Sequence, residues 1–242
     1  MRTLCGLILV SVLFLVGCVQ GSGNVVTREE PVSPFTGIQL QGRGTLVLTQ
    51  GDDEGLVIEA EDNIMKHITS EVENGQLHIK LGNTLFLRTT KPVVYHVHVQ
   101  NIEQITLAGS CGVSATTPIR APKLEMSVAG ASDMELSLDT DTLLVNLAGA
   151  GDMKLHGRAD DIRLNVAGAI DVNALKLMTQ RAEISANGAA SVELSVAQTL
   201  AIEANGACEV AYRGDAEVIK QEVSGTSSIT RLDGQDEEPL EE

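Results

Sequence analysis

Asp133, Asp152 and Asp171 recur at intervals of nineteen residues, each three positions after a glycine: Gly130, Gly149 and Gly168. In stacked β-strands, residues repeating in register lie about 5 Å apart. Carboxylates that close repel one another, so either water screens them or a cation sits between them. Calcium suits such oxygens but takes six to eight of them, whereas this pattern supplies one acid per copy. Asp133, Asp152 and Asp171 therefore read first as a solvated corner ladder and second as a cation ladder. Ser191, Glu209 and Ser228 hold the same position in later copies.

Imidazoles and thiols are the other candidates. His96 and His98 alternate with Tyr95, Val97 and Val99, and His78 lies between Leu77 and Ile79, so all three point outward from strands. Three imidazoles on neighbouring strands suit zinc. Histidines two apart on an exposed strand are usually idle, so no metal is assigned and His78, His96 and His98 stay as candidates only. Cys111 and Cys208 each follow a repeat glycine by two residues, five copies apart. At the stacking distance that is about 24 Å, far beyond the roughly 7 Å between Cα atoms that a disulfide spans. Both are expected as buried free thiols. No G-x-S-x-G elbow, zinc-helix or phosphate-loop spacing occurs. No catalytic residue and no cofactor is assigned.

The elements that carry these residues follow from a repeat. Gly109, Gly130, Gly149, Gly168, Gly188, Gly206 and Gly225 are spaced by 21, 19, 19, 20, 18 and 19 residues. Within each copy apolar residues alternate, as in Leu143, Val145 and Leu147, then Met153 and Leu155, with Asp152 and Lys154 opposite. No window carries a convincing helical stripe, and charged and small residues interrupt the strands too often for a bilayer-facing barrel. Short strands stacked on their equivalents at a period of about 19 make an all-β parallel β-solenoid. Seven coils would span roughly 34 Å at about 4.8 Å each. The small residues mark the corner: glycine allows φ > 0 there, and alanine fits where the core narrows. Asn187 and Asn205 replace that alanine, and their amides are placed to hydrogen-bond along the stack. Further upstream the coils are irregular. Strands are expected at 38–40, 45–49, 56–59, 77–81 and 93–99, with Gln41-Gly42-Arg43-Gly44 as a degenerate corner and turns at 51–55 and 73–76.

Seventeen basic against thirty-three acidic residues give a net charge of −16, which disfavours nucleic acid as a partner. With no Trp, two Tyr and three Phe, the flat aromatic faces that bind sugars and bases are scarce. Residues 1–17 read as a signal peptide: Arg2, then an apolar run from Leu4 to Val16, too short to span a bilayer. Leu15-Val16-Gly17-Cys18 resembles a bacterial lipobox, which implies cleavage before Cys18 and its thioether lipidation and N-acylation (palmitate among the chains). Val19, where inner-membrane retention usually shows Asp, implies the outer membrane of a Gram-negative cell, on its periplasmic or its surface face. Residues 18–24 are then the lipidated Cys and a short flexible tether, 25–231 a single solenoid domain, and 232–242 an acidic, disordered tail.

The ordered set F-T-G-I-Q-L (35–40), V-L-T-Q-G (47–51), V-E-N-G-Q-L-H-I (72–79) and the A-G-A-x-D series resembles the head GIN domain family, the auto-transporter adhesin heads. The resemblance covers roughly residues 24–230. It implies a right-handed parallel β-helix in the cell envelope without established catalytic residues. The functional expectation is a non-catalytic lipoprotein, structural or adhesin-like, held to the membrane by its lipid and binding an envelope glycan or protein as a monomer. The alternative is a polysaccharide-active β-helix lyase or hydrolase working through outward carboxylates.

Overall fold

The computed structural model describes residues 19–82 and 87–232. Residues 1–18, on which the signal-peptide and lipidation expectations fall, and residues 233–242, expected as an acidic tail, lie outside them. Upstream of the strict repeat come β1 (Val19–Gln20), β2 (Val25–Glu30), β3 (Gly37–Gln50), β4 (Gly55–Glu61), one helical turn α1 (Asp62–Met65), β5 (Ile68–Glu73), β6 (Gln76–Leu81), β7 (Leu87–Arg88) and β8 (Val94–Val99). The repeat itself is β9 (Gln104–Ala115), a long β10 (Ile119–Gly188), β11 (Ser191–Gly206), β12 (Glu209–Arg213), β13 (Glu217–Gly225) and β14 (Ser228–Arg231). The sheets are open, with no barrel among the described residues.

Successive copies pair in parallel and in register. Gly109 aligns with Gly130, Gly188 with Gly206, and Gly206 with Gly225. Period two explains why: one set of side chains faces inward along every strand, so each copy presents the same apolar row to the next. Leu143, Val145, Met153 and Leu155 are fully buried, each contributing about 1.5–3 kcal/mol by leaving water. One continuous hydrophobic cluster runs from Phe35 to Ala216.

The glycine step is a corner for two separate reasons. Gly109, Gly130, Gly149 and Gly168 hold φ between +124° and +135°, a region that costs L side chains strain. A Cβ on Gly149 would also stand 2.0 Å from the Gly130 carbonyl oxygen. Alanine has a different job from the one expected. Ala129, Ala148 and Ala167 are exposed, because they precede the glycine on the outward side of the pleat. The inward positions flanking them are Val128, Leu147 and Val166 on one side and Ser132, Gly151 and Ile170 on the other. The alanines with Asn146, Asn165 and Asn187 line a shallow outer groove of about 310 Å³. The amide stack forms as expected, with Asn205 Nδ2 donating to Asn187 Oδ1 at 3.3 Å, and a second pair not foreseen stands two residues earlier in the repeat, where Asn165 Nδ2 donates to Asn146 Oδ1 at 2.9 Å.

The N-terminal region is more than degenerate coils. Gly42 does align with Gly109, so β3 is the rung beneath β9. Beneath β3 lies a rung made of two separate pieces, β6 against Gly37–Gln41 and β8 against Thr45–Gln50. The pairing of β4 with β8 and β2 is antiparallel, as is that of β5 with β6. The β5–β6 hairpin turns at Asn74 and Gly75, both at positive φ (52° and 74°), as an Asn-Gly turn requires. Residues 51–55 connect β3 to β4 as a turn between strands that β8 separates. Gln20–Asn24, expected as a flexible tether, is instead docked on the domain. Asn63 Nδ2 donates to the Gln20 carbonyl (2.7 Å), and β1 pairs with β7.

Candidate functional site

An open groove of about 910 Å³ runs along the corner, just after the glycine step, across four rungs. Four stacked segments, 43–45, 110–114, 131–135 and 150–154, make its floor, and Thr89, Pro92 and Val93 wall one end. Its charged side chains are Arg43, Asp133, Glu135, Asp152 and Lys154. The alternation places them: Met134, Met153 and Leu155 point into the core, so their neighbours must face solvent.

The aspartate ladder is thus divided. Asp133 and Asp152 share the groove; Asp171, one rung further, is exposed but does not line it. Gly112 precedes the Val113 that pairs with Met134, and the groove floor is open there for want of a side chain. Among the described residues no group of three or more His, Cys, Asp or Glu is placed to hold a metal ion. The groove offers three carboxylates, Asp133 and Glu135 on one rung and Asp152 on the next, beside a cation at either end, a surface suited to polar, hydroxyl-rich or mixed-charge ligands.

The histidines are not brought together. His96 and His98 stand opposite Val47 and Thr49, while His78 stands opposite Gln39, at the other end of β3. They face outward as expected, and His96 Nε2 lies 3.4 Å from Glu59 Oε1. Cys111 and Cys208 are buried and unpaired. Each sulfur lies 3.7 Å from the carbonyl oxygen of a corner glycine one rung below, Gly42 and Gly188 respectively. Burial pushes the Cys111 thiol up to about 11, which keeps it protonated and inert.

Two buried side chains have partners that period two does not record, although the alternation with His96 does place Tyr95 inward. Tyr95 is fully buried against Gly44, where a Cβ would meet its ring at 2.6 Å, and its hydroxyl donates to the Arg43 carbonyl at 3.3 Å. This plug closes the corner where β6 and β8 leave it open. Glu61 is fully buried. It accepts the Gly23 N–H at 2.7 Å, the Thr90 N–H at 2.9 Å and the Thr90 hydroxyl. Burial alone would raise its pKa, but these hydrogen bonds prevail and hold the carboxyl below the usual carboxylate range. A buried acid that ends a strand gives no sequence signal, because its partners lie 29 and 38 residues away.

A family model described as putative auto-transporter adhesin, head GIN domain, matches residues 34–216. The chain belongs to the head GIN domain family. Among solved structures, this GIN domain is similar to a putative adhesin of Bacteroides fragilis, at 22% identity and TM-score 0.82, covering 88% of this chain and 100% of that one. A putative lipid binding protein of Parabacteroides distasonis aligns at 23% identity and TM-score 0.70, over 89% and 99% of the two chains. A putative adhesin of the same species aligns at 15% and 0.67, over 88% and 99%. At these identities the likeness is one of fold. No curated protein matches this GIN domain. The family and these neighbours are described in terms of adhesion or lipid binding and not of catalysis.

Proposed function

We propose that this GIN domain is a non-catalytic binding module of the bacterial cell envelope, its repeats wound as a right-handed parallel β-helix and its N-terminus lipidated at Cys18. Membership of an adhesin-head family carries the reading. The in-register parallel stack supports the helix, and the lipobox-like Leu15-Val16-Gly17-Cys18 supports the anchor. The groove over Asp133 and Asp152 is the proposed ligand surface, for an envelope glycan or a protein loop rich in hydroxyl and charged groups. An extended stack of rungs is stiff, and it presents such a surface without ordering cost on binding.

Protease shaving of intact cells, with and without outer-membrane permeabilisation, tests the adhesin form of the reading. Cleavage in intact cells is expected; protection until permeabilisation would place the module in the periplasm instead. The catalytic alternative is tested by glycan turnover. Turnover that disappears when Asp133, Asp152 and Asp171 are changed to Asn would overturn the non-catalytic reading.

A further inference from the structure

The segment just after Cys18 is bonded to the domain at every step. The Gly21 N–H donates to the Arg88 carbonyl at 2.7 Å, and the Ser22 N–H donates to Asn63 Oδ1 at 3.0 Å. Ser22 Oγ and Asn24 Nδ2 both donate to the Asp62 carboxylate, and the Asp62 N–H donates back to the Asn24 carbonyl at 2.9 Å. Glu61 takes the Gly23 N–H. A Cβ on Gly21 would stand 2.0 Å from the Glu61 carboxylate, so a side chain at position 21 would have to displace the group that holds Gly23 and Thr90. The elements that hold it each contribute an exposed cation: Lys66 caps α1, Arg88 lies in β7, and Lys91 follows Thr90.

We infer that Val19–Asn24 is a rigid strap that seats the domain flush on the lipid surface, with the α1 and Arg88–Lys91 face against the headgroups. The inference rests on the lipid-anchor reading above. Six free residues would let the domain stand about 20 Å away, at roughly 3.3–3.6 Å per residue. Seated, the strap leaves one peptide unit, about 3.8 Å between Cα atoms, between the acylated residue and Val19. The occupant of this face is the phosphate-bearing headgroup layer: chain 1–18 leads to it, and the elements that hold the strap expose three cations against the one exposed carboxylate of Asp62, in a protein of net charge −16.

The test uses the full-length, acylated chain in vesicles of phosphatidylethanolamine and phosphatidylglycerol that carry a headgroup-attached quencher. A fluorophore is placed on Lys66→Cys or, at the far end of the stack, on Thr230→Cys. Both native downstream thiols are buried, so labelling is selective. Label 66 is expected to be quenched several-fold more than label 230. Inserting about ten Gly/Ser residues between Cys18 and Val19, a tether of about 16–19 Å, is expected to lower quenching at 66 several-fold. Gly21→Val should do the same while circular dichroism stays unchanged. Equal quenching at the two labels, or quenching at 66 that survives the insertion, overturns the strap. An unacylated Cys18 by mass spectrometry overturns the anchor reading itself, and the strap with it.

Discussion

At the scale of single residues, the same glycine symbol carries different weights. Gly149 combines φ +135° with a carbonyl 2.0 Å from any added Cβ, whereas a Cβ on Gly112 would meet neighbours only at 3.4–3.6 Å. Gly149→Ala is expected to destabilise by on the order of 3 kcal/mol and Gly112→Ala by less than about 1 kcal/mol; denaturant melts of the two measure the difference. Glu61 makes a pH prediction. Its folded pKa is depressed below the ordinary value of 4.5, so its stabilisation is present above that value and is lost as pH falls through the folded one. Glu61→Gln should cost about 1–3 kcal/mol at neutral pH, because two N–H donors then compete with an amide. The gap in melting temperature from the parent chain is expected to close in acid, and a constant gap down to pH 3 would refute the assignment.

At the scale of elements, the parallel ladder imposes likeness between rungs. An inward row tolerates variation in size, since Cys111, Ser132, Gly151, Ile170 and Ala190 all serve at equivalent inward positions. An outward row feels charge instead. Arg163 pairs with Glu183 at 2.8 Å across neighbouring rungs, an exposed contact worth up to about 1 kcal/mol. Asp133, Asp152 and Asp171 stack like with like. If water rather than a cation screens them, Asp152→Asn should raise stability by about 0.2–1 kcal/mol, and a chelator should leave the melting temperature unchanged. A drop in melting temperature on chelation would restore the cation ladder.

At the scale of the whole molecule, the two ends differ. The N-terminal end is closed by antiparallel strands, the Tyr95 plug and the strap. The C-terminal end shows β13 and β14 with Ile219 62% and Val223 44% exposed, an edge of the kind that pairs with another chain. Residues 233–242 add six acids and no base after that edge, and like charge opposes association there. Full-length protein is expected to sediment as a monomer, and a chain ending at Leu232 to associate with rising concentration. A deletion that stays monomeric would show that the edge protects itself.

Much of this was legible in the chain. The nineteen-residue spacing of glycines, the alternation of Leu143, Val145 and Leu147, and the outward Asp152 and Lys154 follow from local rules, period two and φ > 0. Any chain that obeys them must stack its copies, so rung order and the separation of Cys111 from Cys208 come with the pattern. What only the tertiary structure decided is non-local. It inserted β6 and β8 beneath β3, against chain order, and turned β4 antiparallel. It put Asp133 and Asp152 in one groove and left Asp171 outside. It also drew Gly21, Gly23 and Thr90 onto Glu61. Those placements depend on contacts between residues tens of positions apart, where loop closure and burial are shared by the whole fold, and no local period records them.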